Sequence, residues 1–290
     1  MTPTRAAGVM CLTMLIWPVV ELVAKFLLRP YSPFQIVWMR YGTHLLLMVV
    51  LWAPGGAGRL VRTRRPGLHI VRGLMMLGMP AFFVFSRIGL SLDASLSLFW
   101  IAPLLAMMLG VLLLGERVRA WQWLVVTIAY LGVLVALGPF AVTRSWAGIF
   151  SLLMAGCFAA YLVLTRYMRD ESAASRLFYT ALVVWASLCP FVPSFWRTPS
   201  VADLAIMVSI GILGFFFLLG LDKALDAAPA AWVAPFTLVT PIWTVAIDVA
   251  LRGQPLMRHT IAGMVVLLGA GLVLLWSGRA PLRRPAGAGR

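Results

Sequence analysis

The sequence predicts an all-α integral membrane protein, with ten transmembrane helices arranged as two inverted five-helix repeats. Three observations carry that reading. Hydrophobic residues make up 62% of the 290-residue chain and charged residues only 11%, too few charges to cover a water-soluble domain of this size. The mean hydropathy is +0.96, and the apolar residues form continuous runs of about 20 residues, the length a helix needs to cross a bilayer. Barrel strands would alternate over segments of ~10 residues, and lipid leaves the backbone no third way to satisfy its hydrogen bonds. Finally, the second half repeats spacings found in the first.

The runs cover residues 6–28, 33–53, 67–90, 94–114, 121–138, 147–166, 176–196, 201–221, 229–251 and 259–277. The first is longer than a signal-peptide core and carries Glu21 and Lys25, so it reads as a helix that stays in the membrane. Pro18 bends it and frees a carbonyl one turn earlier. The second carries Arg40 and His44 on one helical face, and the third follows a basic connection and contains Pro80. The fourth holds Pro103 and the small-residue stripe Ala102-Ala106-Gly110, then ends at Gly115-Glu116. Late in the fifth comes Gly132, and the sixth has a second small-residue stripe, Ser151-Ala155-Ala159; such spacing lets helices pack closely. The seventh begins at Arg176. The eighth contains Phe215-Phe216-Phe217 and runs into Asp222-Lys223 and Asp226, which read as a solvated face. The ninth holds Pro235, Pro241 and Asp248, the last four residues before Arg252 as in a helical ion pair. It ends at Gly253-Gln254, and the tenth has late glycines, Gly269 and Gly271. The tail, 278–290, is basic and rich in Gly and Pro, and reads as disordered.

Orientation follows from Lys and Arg. With the N-terminus in the cytoplasm, fifteen of them fall on the cytoplasmic side, against six on the other: Lys25, Arg29, Arg144, Arg197, Arg252 and Arg258. The bias places both termini in the cytoplasm. Pro103 precedes Gly115-Glu116 by the same twelve residues that separate Pro241 from Gly253-Gln254, and both offsets between halves are 138. Repeats of five helices, near 1–140 and 145–277, must enter the membrane with opposite orientation, as in secondary transporters with a site near the midplane.

Several classes are excluded. The formal charge of +15 is scattered over short connections and forms no stripe for nucleic acid. Cys11, Cys157 and Cys189 lie in apolar runs, with no CxxC or Cys/His spacing for a disulfide framework or zinc. No HExxH, GxSxG or Walker loop is present, so neither a membrane enzyme nor direct use of ATP is indicated, and no metal or cofactor is expected. A non-transporting assembly subunit is the remaining structural alternative. Paired mid-helix prolines and intramembrane acids weigh against it.

The ten-run layout, Lys25 closing the first run, Arg40 in the second, Leu68-His69-Ile70-Val71-Arg72-Gly73 opening the third and Pro103 to Gly115-Glu116-Arg117 resemble the drug/metabolite transporter superfamily, specifically its ten-helix exporters with two EamA-type repeats. The resemblance spans about residues 6–277. In the second repeat Gln254 departs from the usual Gly-Glu. It implies a multi-pass protein of the bacterial inner membrane that exports amino acids or other metabolites, as a monomer or weak dimer. Length and aromatic content resemble the YddG-like aromatic amino-acid exporters; a multidrug or other metabolite exporter of the same fold is the alternative.

The expected site is a central, mostly apolar cavity lined by Trp17, Phe83, Phe99, Trp100, Tyr161, Phe217 and Phe236, with Glu21 and Arg40 at its edge. Phe83, Trp100 and Phe236 lie close to prolines, where membrane helices bend and sites form. A charge at membrane depth is costly, about 3 kcal/mol on insertion scales, so Glu21 contacts a substrate amine, relays protons, or pairs with Arg40 or Lys25. Arg40 holds a substrate carboxylate or a helix contact. Arg72 and Arg87 are expected to snorkel toward the surface. His69 and His259 read as interfacial, and His44 as a polar contact in the core.

Overall fold

The computed structural model describes residues 1–52, 58–137, 145–253 and 256–277, which form helices and connections and no strand. Ten helical spans are long and apolar enough to cross a bilayer: α1 (Pro3–Leu27), α2 (Pro33–Trp52), α3 (Pro66–Ser86), α4 (Leu92–Leu114), α5 (Ala120–Leu137), α6 (Gly148–Tyr167), α7 (Ala173–Phe195), α8 (Val201–Ala227), α9 (Ala230–Leu251) and α10 (Arg258–Ser277). The 278–290 tail and Gln254 lie outside the described residues.

Sequence chemistry sets the helix ends. Thr2, Ser91, Ser172 and Ser200 accept N-cap hydrogen bonds at the starts of α1, α4, α7 and α8, satisfying amides that lipid could not. Pro18 and Pro80 are carried inside continuous helices, whereas α4 and α9 are broken. The first piece of α4 stops at Phe99 and the second resumes at Ala102. In α9 a 3₁₀ segment, Ala234–Val239, leads into a helix from Thr240 to Arg252. Pro103 and Pro241 occupy the first turns of these second pieces, each 13 residues long. Each piece is closed by a left-handed glycine, Gly115 at φ 64° and Gly253 at φ 60°, a conformation any larger residue would strain. Pro103 and Pro241, and Gly115 and Gly253, each pair at an offset of 138, thus hold matched structural positions.

The packing interleaves the two halves. α3 lies along α6 and α1 along α8; α5 packs on α10, α2 on α7 and α4 on α9. The pairing is unchanged when each helix is exchanged with the one five places away. Gly132 and Gly263 bring α5 and α10 backbone to backbone: a methyl group built on Gly132 would sit 3.1 Å from the Gly263 carbonyl oxygen. In lipid such close approach replaces the hydrophobic drive of a soluble core. At the end where α1 turns into α2, Tyr31 donates to Asp203 at 2.7 Å and Gln35 donates to the Arg197 carbonyl at 2.6 Å, joining that connection to the one before α8. The Asp203 bond raises the Tyr31 phenol above its ordinary value.

Candidate functional site

A cavity of about 230 Å³ lies between α1, α2, α3, α4, α6 and α8. It reaches Pro33, the exposed first residue of α2, and so extends to the end of the bundle where α1 joins α2. Its wall is largely apolar and includes Trp17, Phe83 and Phe217, three flexible methionines (Met76, Met79 and Met154) and two charged residues, Glu21 and Arg40. Trp17 is held in place by its neighbours. It stacks on Phe99 at 5.9 Å and meets Phe217 edge-on at 5.7 Å and Phe158 at 6.3 Å. Arg40 crosses from α2 to α8, where Gly214 leaves room for it: a methyl group there would stand 3.1 Å from the Arg40 Nη2. Its Nε is buried without a hydrogen-bond partner, and its guanidinium sits over the Tyr41 ring at 5.5 Å. An unpaired donor on a cation in an apolar wall is expensive unless something else meets it.

Five of the nine expected site residues therefore share this wall: Trp17, Phe83, Phe217, Glu21 and Arg40. The other four lie elsewhere. Phe99 is fully buried behind Trp17, and Trp100 packs edge-on against Phe99 at 4.9 Å, 4% exposed. Trp100, at the break in α4, is buried in the bundle and does not line the cavity. Phe236 packs at a tilt against Trp232 and borders a second cavity, of about 130 Å³, among α1, α5, α9 and α10. Tyr161 is drawn into a buried polar cluster.

That cluster corrects several expectations. Arg72 does not snorkel. It is fully buried, and each of its five N–H donors finds an acceptor. Nε donates to Thr165 at 2.9 Å, Nη1 to the Arg176 carbonyl at 2.7 Å and to Thr180 at 2.6 Å, and Nη2 to Tyr161 at 2.7 Å and Asp222 at 2.5 Å. Arg176 is also buried and donates to Asp222 at 3.0 Å, to the Met168 carbonyl at 3.0 Å and to Asp226 at 2.6 Å. Of the segment expected as a solvated face, Lys223 and Asp226 are exposed, but Asp222 is fully buried. His69, expected at the interface, is buried against Tyr179 and 3.9 Å from Glu171. His44 does sit in the core, edge-on to Phe215, and Arg87 and His259 are exposed. The side chains of Lys25 and Arg252, proposed partners of Glu21 and Asp248, lie outside the described residues.

One further group carries structure where the sequence showed only a motif. Glu116, set by the Gly115 turn, accepts from the amides of Ala230 and Ala231 at 2.9 and 2.7 Å, capping the start of α9. Arg166 stands 3.9 Å from Glu116 and donates to the Leu225 and Asp226 carbonyls that end α8. A signal for the buried cluster was present in the chain. Arg72 lies inside the third run, Arg176 opens the seventh and Asp222 directly follows the eighth, all toward the same end of the bundle.

Residues 4–138 match the EamA-like transporter family. Over most of its length the chain is similar to an S-adenosylmethionine uptake transporter of Rickettsia conorii, 26% identical over 91% of this chain and 90% of the relative. An uncharacterized transporter of Archaeoglobus fulgidus is 28% identical over 92% and 97%, and a riboflavin transporter of Brucella anthropi 23% identical over 83% and 87%. A solved crystal structure shares the fold, with a TM-score of 0.76 and 15% identity over 96% of this chain and 97% of its own. These likenesses, with ten apolar helices, support a multi-pass inner-membrane transporter. The matched family and relatives are transporters, not enzymes.

Proposed function

We propose that this chain is a secondary transporter of small organic solutes, and that its cargo is an aromatic amino acid or a related flat-ringed metabolite carried by alternating access. The observation that carries this reading is the cavity that sets Trp17, Phe83 and Phe217 beside two opposite charges, with an Arg40 donor left unpaired. In this reading a flat ring lies against the aromatic wall, a carboxylate meets Arg40, and Glu21 faces the amine. At about 230 Å³ the space is below the ~300–1,000 Å³ of drug-sized pockets and favours a solute of single-amino-acid size. The relatives named for S-adenosylmethionine and riboflavin also move flat-ringed compounds, the first of them an amino acid. We also propose that residues 1–140 and 145–277 are repeats of opposite orientation, supported by the matched breaks in α4 and α9 and by the exchange-symmetric pairing. Export is the direction that family resemblance implies, whereas the rickettsial relative is named for uptake.

Flux in liposomes containing only this protein tests the reading. Radiolabelled phenylalanine, tryptophan, alanine, S-adenosylmethionine and riboflavin are followed in both directions. Phenylalanine and tryptophan are expected to move faster than alanine, and Trp17→Ala to reduce their flux about tenfold, the loss of ~1.4 kcal/mol of ring contact. Equal rates for alanine and tryptophan, or full ring-solute flux in Trp17→Ala, would place the cargo or its site elsewhere.

A further inference from the structure

We propose that the Arg72–Asp222–Arg176 cluster is the gate that closes the cavity at the end away from Pro33, so that the structure is one of two alternating states, open toward the connection of α1 and α2. The inference rests on the transporter reading above and adds the residues that switch it.

Position is the first argument. The cavity occupies the halves of α1 and α2 nearest their connection and reaches Pro33. The cluster joins the opposite ends of the bundle: the start of α3 (Arg72), the end of α6 (Tyr161, Thr165), the start of α7 (Arg176, Thr180) and the end of α8 (Asp222, Asp226). Met76, one turn beyond Arg72 on α3, already lines the cavity. The cluster is therefore the floor.

Chemistry is the second argument. Two arginines face two aspartates, so the cluster is balanced in charge, and Arg72 and Asp222 are fully buried. Joining both halves needs no ions; apolar side chains would serve as well and often better, because burying charges costs as much solvation as their attraction returns. That near balance is what a gate requires. Apolar packing loses its whole contact energy to water when it opens, whereas charged ends rehydrate, so the closed and open states stay close in energy and a weakly bound solute can shift them. The Glu116 cap on α9 and the Arg166 bonds to the end of α8 lie at this same end and tie its helices in one state. A purely structural cluster would hold these ends together in every state.

Sidedness of thiol labelling separates the two. In protein whose three native cysteines are replaced, Met76→Cys is reconstituted and exposed to a membrane-impermeant maleimide from either face. The parent is expected to label faster from the Pro33 face than from the opposite one. Asp222→Asn should raise labelling from the opposite face by about tenfold or more, the bias released with a charge-assisted bond. Asp226→Asn loses only the bond to Arg176 on a partly exposed side chain; it should move labelling the same way by a smaller factor, and it carries the test if Asp222→Asn does not yield folded protein. Asp222→Glu should restore the parent pattern. Unchanged labelling from the opposite face in folded variants, or equal labelling rates of the parent from both faces, overturns the gate. The readout needs no solute, so it stands or falls apart from the assignment of the cargo.

Discussion

At the scale of single residues, the protein separates two uses of buried charge. Glu21 and Arg40 border the cavity, and the Arg40 Nε has no hydrogen-bond partner in the protein. Arg72 is the opposite case, with all five donors matched. The sequence placed both arginines inside apolar runs but could not say what stands opposite, because the partners of Arg72 come from three other helices. Glu21, Arg40 and Trp17 were legible as residues of a cavity wall because a charge or a ring beside a proline-bent helix needs a cavity or a partner. Trp100 and Phe236 carried the same signal and turned inward or toward a different cavity, since the direction a side chain takes past a helix break is set by the break. Glu116 was legible only as a motif. Its two amide bonds now give it an energy: Glu116→Ala leaves two amides at the start of α9 unpaired and is expected to cost about 1–3 kcal/mol. A lowered Tm in detergent, with Glu116→Gln intermediate, checks this; an unchanged Tm would mean that water serves the α9 amides equally well.

At the scale of elements, the ten runs translate into ten spans because helix length in a bilayer is fixed by its thickness. The breaks in α4 and α9 were only implied by Pro103 and Pro241, and the 3₁₀ path of Ala234–Val239 was not legible, since it depends on the packing of α9 against α4. Glycines show how pairs of elements are fitted. A methyl group on Gly263 would stand 2.6 Å from the Ala136 side chain, while one on Gly269 would meet nothing within 4 Å. Gly263→Ala should therefore force α10 away from α5 and destabilise the protein by about 1–3 kcal/mol, whereas Gly269→Ala should change stability by about 0.5 kcal/mol or less. Equal Tm values for the two variants would show that the α5–α10 seam yields without cost.

At the scale of the whole molecule, orientation and repeat are proposals with one common test. Reporter fusions at Arg62 and Arg169 are expected to lie in the cytoplasm and a fusion at Arg197 on the other side. Cytoplasmic Arg62 together with external Arg169 would break the odd-helix repeat, and an external Arg62 would reverse the protein. The order in which the molecule is made adds a last consequence. Every acceptor of Arg72 lies between residues 161 and 222, the farthest of them 150 residues downstream. At 5–20 residues per second, α3 leaves the ribosome roughly 8–30 s before Asp222 exists to meet it. A lone guanidinium cannot stay at its final depth for that time without water or headgroups around it. During synthesis Arg72 is therefore expected to stay near water or headgroups until α6, α7 and α8 supply its acceptors.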